Sequence, residues 1–427
     1  MSPQARAQLL RKMYSAAVAA ADPMVVLPRH LPALPQGRTI VVGAGKAAYA
    51  MARAVEAHWK GQLEGVVVAP NMAADALPRI RVLEGSHPVP DAFSFVAARS
   101  ILAAVAGLRP QDLVLALISG GGSALMALPA SGVNFQEKQS ITRALLRGGA
   151  TIHELNVVRK HLSAIKGGRL AQAAAPAHVV TLVLSDIPGD EFGLVASGPT
   201  VPDISSCIDA LAVLDRYDVI ISAGLRKQLL DASLETPKPG DDCFLAGETR
   251  MIACAQDGLE AAAQVAREGG VTPLILSDRI EGESREVARV HAAIAQQVIR
   301  RGQPLGAPCV LLSGGETTVT VTGHGRGGRN TEFSLALALA LQGQSGVSAL
   351  SAGTDGIDGS SDAAGAIVDE DTLERARQLG LDPLTHLMDN DSFTLLSRIG
   401  TCIHTGPSGT NINDVRALLI APETNTP

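Results

Sequence analysis

Short, unbroken apolar runs alternate along the chain with glycine-rich turns and longer amphipathic stretches. Thr39–Val42 leads into Gly43-Ala44-Gly45-Lys46, after which Ala47–Trp59 reads as a helix. Val66–Ala69, Leu113–Ile118 and Val179–Leu184 are further runs of the same kind. Strands apolar on both faces are buried on both, as in a parallel sheet with helices on either side, so the pattern predicts an α/β fold. The intervening segments rich in Ala, Leu, Gln and Arg fit the crossover helices. Leu155–Leu170 reads as one of them. The Pro- and charge-rich segment Ser233–Asp242 is the predicted domain boundary, giving domains at 1–235 and 236–427. Beyond it the rhythm resumes, with strands at Leu274–Leu276, Cys309–Leu312, Thr317–Thr322 and Ser348–Ser351 and a helix at Phe333–Leu341. Ser-Gly-Gly turns follow apolar runs at both Ser119 and Ser313, a recurrence of turn chemistry without wider repetition.

Composition narrows the class. At 427 residues the chain exceeds one ordinary core, and 46% hydrophobic against 18% charged residues excludes disorder. A net charge of −6 with only 7 Phe, 3 Tyr and 1 Trp offers no basic stripe and few stacking platforms, which excludes nucleic acid. The longest apolar runs, Leu113–Ile118 and Leu335–Leu341, fall far short of the roughly 20 residues of a membrane span. Arg6, Arg11 and Lys12 precede only a short small-residue run, which does not read as an export signal. Five cysteines without C-x-x-C spacing point to reduced thiols, not to a disulfide frame or zinc site, and hence to the cytoplasm.

Several turns carry candidate chemistry. Gly43-Ala44-Gly45-Lys46 resembles a dinucleotide turn, but no acidic residue ends the next strand, and Lys46 is better suited to neutralise a carboxylate or phosphate. Ser119-Gly120-Gly121-Gly122-Ser123 can present backbone amides and two hydroxyls to an anion. Arg159 and Lys166, seven residues apart on the predicted helix, are open either to solvent or to an anion. Asp186 follows a strand end, where open α/β sheets hold ligands, and Asp190 lies in the same Pro-Gly loop. Such carboxylates can hold Mg²⁺ or accept a proton, although Asp is also an ordinary turn residue. Arg326 and Arg329 sit among glycines before a helix and suit a carboxylate or phosphate. Asp355, Asp358 and Asp362 fail the EF-hand spacing, which leaves a nucleotide-linked Mg²⁺ as their metal reading. His404–Asp414 is a last glycine- and hydroxyl-rich loop.

Taken in order, VGAGKAA (42–48), GSHPVPD (85–91), SGGGSAL, LNVVRKHLSAIKGGRLA, SDIPGDEFGLVASGPTVPD, SGGETTVTV, GRGGRNTEF, GTDGIDGSSDAAGA and TGPSGTNIND resemble the glycerate 2-kinases with a leucine-rich C-terminal domain. This family is often provisionally labelled hydroxypyruvate reductase, after its place in tartrate degradation. The resemblance runs from Val41 to Val415; Thr331, where Gln is more familiar, and His324 are departures. It implies a larger Rossmann-like three-layer αβα domain, a smaller mixed α/β C-terminal domain and an active site in the cleft between. It also implies ATP- and Mg²⁺-dependent phosphorylation of D-glycerate at its 2-hydroxyl, by a monomer or homodimer.

Within that reading Lys46 and Arg329 are the active-site cations, with Arg326 beside them for substrate. Asp186, Asp190 and Asp355 are candidates for metal or proton acceptance. Gly43, Gly45, Ser119–Ser123 and Ser313-Gly314-Gly315 are candidates for the ATP phosphates. The competing expectation is an NAD(P)H-dependent hydroxypyruvate reductase; a non-catalytic sugar-acid binder would need an export signal.

Overall fold

The computed structural model describes residues 1–70, 76–87 and 89–421, so Pro88 of the GSHPVPD string lies outside the described residues. The chain divides into two compact units, Pro23–Ile252 and Met1–Asp22 together with Ala253–Pro427. The boundary therefore falls after the Ser233–Asp242 segment. That segment is tied into the first unit by its own polar groups: Asp203 donates its amide to the Pro237 carbonyl at 3.1 Å, and Thr236 Oγ1 donates to Asp203 Oδ2 at 3.1 Å. The opening helix, Pro3–Ala19, belongs to the second unit because its apolar face needs a partner there. Leu10, Met13, Tyr14 and Ala17 are buried in one cluster with Leu259, Ala262, Ala263 and Ala266.

In the first unit the strands are β1 (Thr39–Ala44), β2 (Glu64–Ala69), β3 (Ile80–Glu84), β4 (Leu113–Ser119), β5 (His178–Leu184) and β6 (Gly247–Ala253). They form one sheet in the order β3-β2-β1-β4-β5-β6. β1 to β5 are joined by parallel pairs, as their two-sided apolar character requires. The strand order reverses between β1 and β4, and open sheets of this kind place ligands outside the carboxyl ends at that switch point. Helix Ile152–His161 stops short of the predicted Leu170. The chain reverses through Gly167 and Gly168, at φ 56° and 84°, and a separate helix covers Arg169–Ala174.

The second unit contains β7 (Thr272–Ser277), β8 (Gly282–Glu283), β9 (Cys309–Ser313), β10 (Thr317–Thr318), β11 (Val347–Gly353), β12 (Gly365–Asp369), β13 (Cys402–Ile403) and β14 (Asp414–Ile420). Its six-stranded sheet has the order β13-β12-β11-β14-β9-β7 and is mixed: β7 and β9 pair in parallel, the other neighbours antiparallel. The predicted strand Thr317–Thr322 shrinks to β10, which pairs only with β8. Beyond it the Thr320 amide and hydroxyl turn to the Glu283 carboxylate instead of to a neighbouring strand. Helix Arg329–Leu341 packs its Phe333, Leu335 and Leu337 into the core. Among the described residues no helix is long and apolar enough to cross a membrane.

One buried arginine ties the opening helix to this sheet. Arg6 is fully buried and gives Nη2 to both Glu370 oxygens, at 2.5 and 2.6 Å, and Nε to Ser348 Oγ at 2.9 Å. Removing one partner of such a pair strands the other, so Arg6→Ala is expected to lower stability by about 3 kcal/mol. Arg11→Ala, at an exposed position of the same helix, leaves it unchanged. Chemical denaturation of the two variants checks the contrast.

Candidate active site

Three loops at the carboxyl ends of β1, β4 and β5 meet at the switch point of the first sheet. Lys46 donates its backbone amide to the Gly120 carbonyl at 2.8 Å, and the Ala47 amide donates to Ser119 Oγ at 3.1 Å. The approach leaves no room for side chains. A Cβ on Gly45 would fall 2.0 Å from Ser119 Oγ, and one on Gly120 would fall 1.6 Å from Asp186 Oδ2. Gly43 likewise lies against the Leu117 carbonyl and Gly122 against Ala196 and the Ala44 carbonyl. These glycines are thus required first for packing, and the loops they bring together carry Lys46 and Asp186. Gly121, at φ 78°, is flanked by the His87 ring and the Lys46 stem. Burial, aided by the Lys46 charge, pushes the His87 imidazole below the ordinary histidine pKa.

Beside these loops opens a cavity of about 290 Å³ lined entirely by the first unit. Gly120, Gly121 and Ser123 form one side, and Lys138, Arg159 and Lys166 converge on it. Arg159 and Lys166 do so from a helix and from the turn after it, not from one helical face. No Asp or Glu lines the cavity among the described residues. Lys138 is 7% exposed and donates to the Leu162 carbonyl at 2.9 Å. Lys166 is 2% exposed and donates to the Ser123 carbonyl at 2.5 Å and to Ser123 Oγ at 3.0 Å. Ser123 Oγ in turn meets Ser197 Oγ at 2.9 Å, and Ser197 donates to Asn156 Oδ1. Arg159, from the helix Ile152–His161, adds its guanidinium to the cavity wall. Burial, reinforced by Arg159 and Arg169, brings the Lys138 pKa down to about 7. Burial with Lys138 and Arg159 takes Lys166 well below the lysine range. Three of the non-glycine residues with positive φ lie in this part of the chain, Asp190, Ala196 and Ser197, at 56°, 51° and 62°.

The second unit treats its charges differently. Arg329 opens the helix Arg329–Leu341 and is gripped through Nε by both Asp414 oxygens, at 3.0 and 2.8 Å, while Nη1 lies 3.3 Å from Glu316. Burial opposes its charge, but Asp414, with Glu316 and Asp358, holds its pKa above the ordinary arginine value. Its side chain keeps 23% exposure. Arg326 is exposed and lies over the Phe393 ring, 5.0 Å from the centroid. Asp358 is not metal-facing: it accepts the Asn330 and Thr331 amides, both at 2.9 Å, and so caps the Arg329 helix. Asp355 accepts the Ile357 amide at 3.2 Å. The Ser313-Gly314-Gly315 turn, expected as a second phosphate cradle, is engaged within its own unit. All three residues are buried, Ser313 Oγ meets His291 Nε2 at 3.0 Å, and Gly314 donates to the Ser277 carbonyl at 2.8 Å.

Residues 9–230 match the family model described as a domain of unknown function, DUF4147, and residues 309–414 match the MOFRL family. A D-glycerate 2-kinase of Thermotoga maritima is 41% identical over 97% of this chain and 98% of its own. The chain belongs to the glycerate 2-kinase family. A protein of Agrobacterium vitis, 51% identical over 97% of this chain and 94% of its own, bears the provisional name hydroxypyruvate reductase. The crystal structure of a glycerate kinase from Thermotoga maritima, 41% identical, superposes with a TM-score of 0.90 over 98% of this chain and all of that one.

For a family of kinases, a metal site of oxygen donors is the fitting kind. Mg²⁺ needs only one or two carboxylates besides phosphate oxygens. Asp186 and Asp190, both half-buried in the loop after β5, supply that chemistry in the first unit; Asp355 belongs to the second. Among the described residues the group of three or more clustered potential ligands is a different one, His161, Cys207 and Glu235, and Glu235 is already paired with Lys238 at 2.5 Å. Lys138 was not singled out in the sequence, where it reads as one more polar position of the amphipathic helix Phe135–Arg147. The folded chain releases the Lys138 proton near pH 7, whereas the ordinary lysine value is 10.5, so this residue adds stability as the pH rises across that window. Lys138→Met removes the charged penalty. Its gain in melting temperature over the parent protein is expected to be largest at pH 6 and to shrink by pH 9; a pH-independent difference in thermal unfolding would contradict this.

Proposed function

We propose that this protein transfers the γ-phosphoryl group of ATP to the 2-hydroxyl of D-glycerate, giving 2-phosphoglycerate and ADP. The observation that carries the reading is the junction at the switch point of the first sheet, where the Lys46 amide meets the Gly120 carbonyl and a cation stands against the glycine-rich Ser119–Ser123 turn. The family relationship supports the same conclusion. In phosphoryl transfer, catalysis rests mainly on positioning and charge neutralisation. Lys46 and Arg329 hold the glycerate carboxylate and the transferring phosphoryl group. Arg326 assists with substrate, and the loops containing Gly43, Gly45 and Ser119–Ser123 frame the nucleotide phosphates. Arg329, oriented by Asp414 and Glu316, presents a fixed cation instead of a flexible one. The glycerate 2-oxygen attacks the γ-phosphorus, the bond to the ADP oxygen breaks, and the hydroxyl proton passes to Asp186 or Asp190. Mg²⁺, held by whichever of Asp186 and Asp190 does not take the proton, with Asp355 as the outer candidate, would neutralise charge on the phosphate oxygens. The reading places the protein in the cytoplasm, on the odd number of cysteines and their lack of C-x-x-C spacing.

The test is product analysis with ATP, Mg²⁺ and D-glycerate, beside a parallel trial with NADH and hydroxypyruvate. ADP and 2-phosphoglycerate are expected from the first and no NADH oxidation from the second; the reverse pattern overturns the assignment. Lys46→Ala is expected to reduce kcat/KM by about 10²–10³-fold, the usual cost of one transition-state donor. Arg329→Ala should fall at least as far. Near-parental turnover in both variants excludes them from the chemistry.

A further inference from the structure

We infer that the cavity of Lys138, Arg159 and Lys166 holds the phosphate chain of the nucleoside triphosphate, with its apolar wall taking the base. The inference rests on the kinase reading and goes beyond it, since it assigns one substrate to one place and names three residues that the family motifs leave without a role.

The argument begins with charge. Three cations converge on one cavity, two of them at least nine-tenths buried, and no carboxylate lines it among the described residues. The lysine ammoniums are held by the Leu162 and Ser123 carbonyls and the Ser123 hydroxyl, which are neutral oxygens. Buried charges in proteins are ordinarily paired, because desolvation is not recovered from neutral acceptors alone. The nearby Arg169 adds a further positive charge, and its guanidinium is held by the carbonyls of Lys160, Leu234 and Glu235. His87 and the exposed Arg143 are the remaining titratable groups on the wall. The missing partner is therefore an anion of more than one charge.

Shape selects among the anions. Glycerate brings a single carboxylate and a polar three-carbon body. The cavity is lined by three cations and by Phe135, Leu146, Ile152, Ile187 and Leu194. A polyphosphate joined to a flat heterocycle matches both kinds of lining, and with so few aromatics in the chain the base is held by aliphatic packing and Phe135. Lys166 also links the cavity to the switch-point loop, since it donates to Ser123. Phosphate binding and the placement of that loop are thus one event.

Direct binding tests this without turnover. Isothermal titration of ATP into the full-length protein, without glycerate, is compared with Arg159→Ala and Lys138→Met. Each variant is expected to weaken ATP binding about 10–100-fold, the scale of one charge-assisted contact. Tripolyphosphate should compete with ATP. Repeating the parental titration at pH 8 in two buffers of different ionisation enthalpy should show proton uptake on nucleotide binding, because the bound anion restores charge to Lys138 and Lys166. Lys138→Met should lower the uptake per nucleotide bound while binding persists, which a misfolded variant cannot show. Parental ATP affinity in both variants overturns the inference, as does a selective loss of D-glycerate or 2-phosphoglycerate binding, which would mark the cavity as the acceptor site. A protein active with ATP and glycerate but unaltered by these substitutions refutes this assignment alone, whereas absence of turnover in the parental enzyme refutes the kinase reading itself.

Discussion

Backbone pressed against backbone at the carboxyl ends of β1, β4 and β5 is the contact on which the candidate site depends. The Lys46 amide reaches the Gly120 carbonyl, and Gly45 and Gly120 leave no space for a methyl group. Any side chain there would push the loops apart and move Lys46, Asp186 and the wall of the cavity together. A fixed position matters because a misplacement of about 1 Å can cost on the order of 10²-fold in rate. The glycines therefore act through geometry, and the cations through charge. Each would be ineffective without the other.

The two units handle buried charge in opposite ways. In the second, each buried arginine has an acid: Arg6 has Glu370, Arg329 and Arg416 share Asp414, and Arg285 has Glu332. Such pairs fix side chains in place even where their net contribution to stability is small. In the first unit Lys160 is paired in the same manner with Asp203, but Lys138 and Lys166 are given only neutral oxygens. That contrast within one chain is what separates structural charge from charge held for a ligand.

The α/β class and the buried strands β1, β4, β5 and β9 were legible in the sequence, because two-sided burial writes itself as an unbroken apolar run. β14 was not, although it is central in its sheet and entirely buried. Arg416 interrupts its pattern, and only the fold reveals that Asp414 neutralises that arginine. Thr317–Thr322 failed in the other sense: β-branched residues favour a strand but cannot supply a neighbour for it. Arg159 and Lys166 were marked as possible partners through a helical spacing that does not exist. They converge because the helix ends at His161 and the chain bends between the two residues. Lys138 carried no signal, since a lysine buried by tertiary contacts looks like one at the surface. Lys46 and Arg329 were visible through their glycine-rich settings, but the carboxylates that orient Arg329 were not.

The split of the second unit also sets an order of events during synthesis. Its first helix leaves the ribosome before the whole first unit and the rest of its own, carrying Leu10, Met13 and Tyr14 on one face. The segment that covers this face begins only after residue 252. At 5–20 residues per second the whole first unit emerges in between, a delay of roughly 10–50 s. Throughout that interval the helix waits for the segment that covers its apolar face, so it is made long before it can be buried.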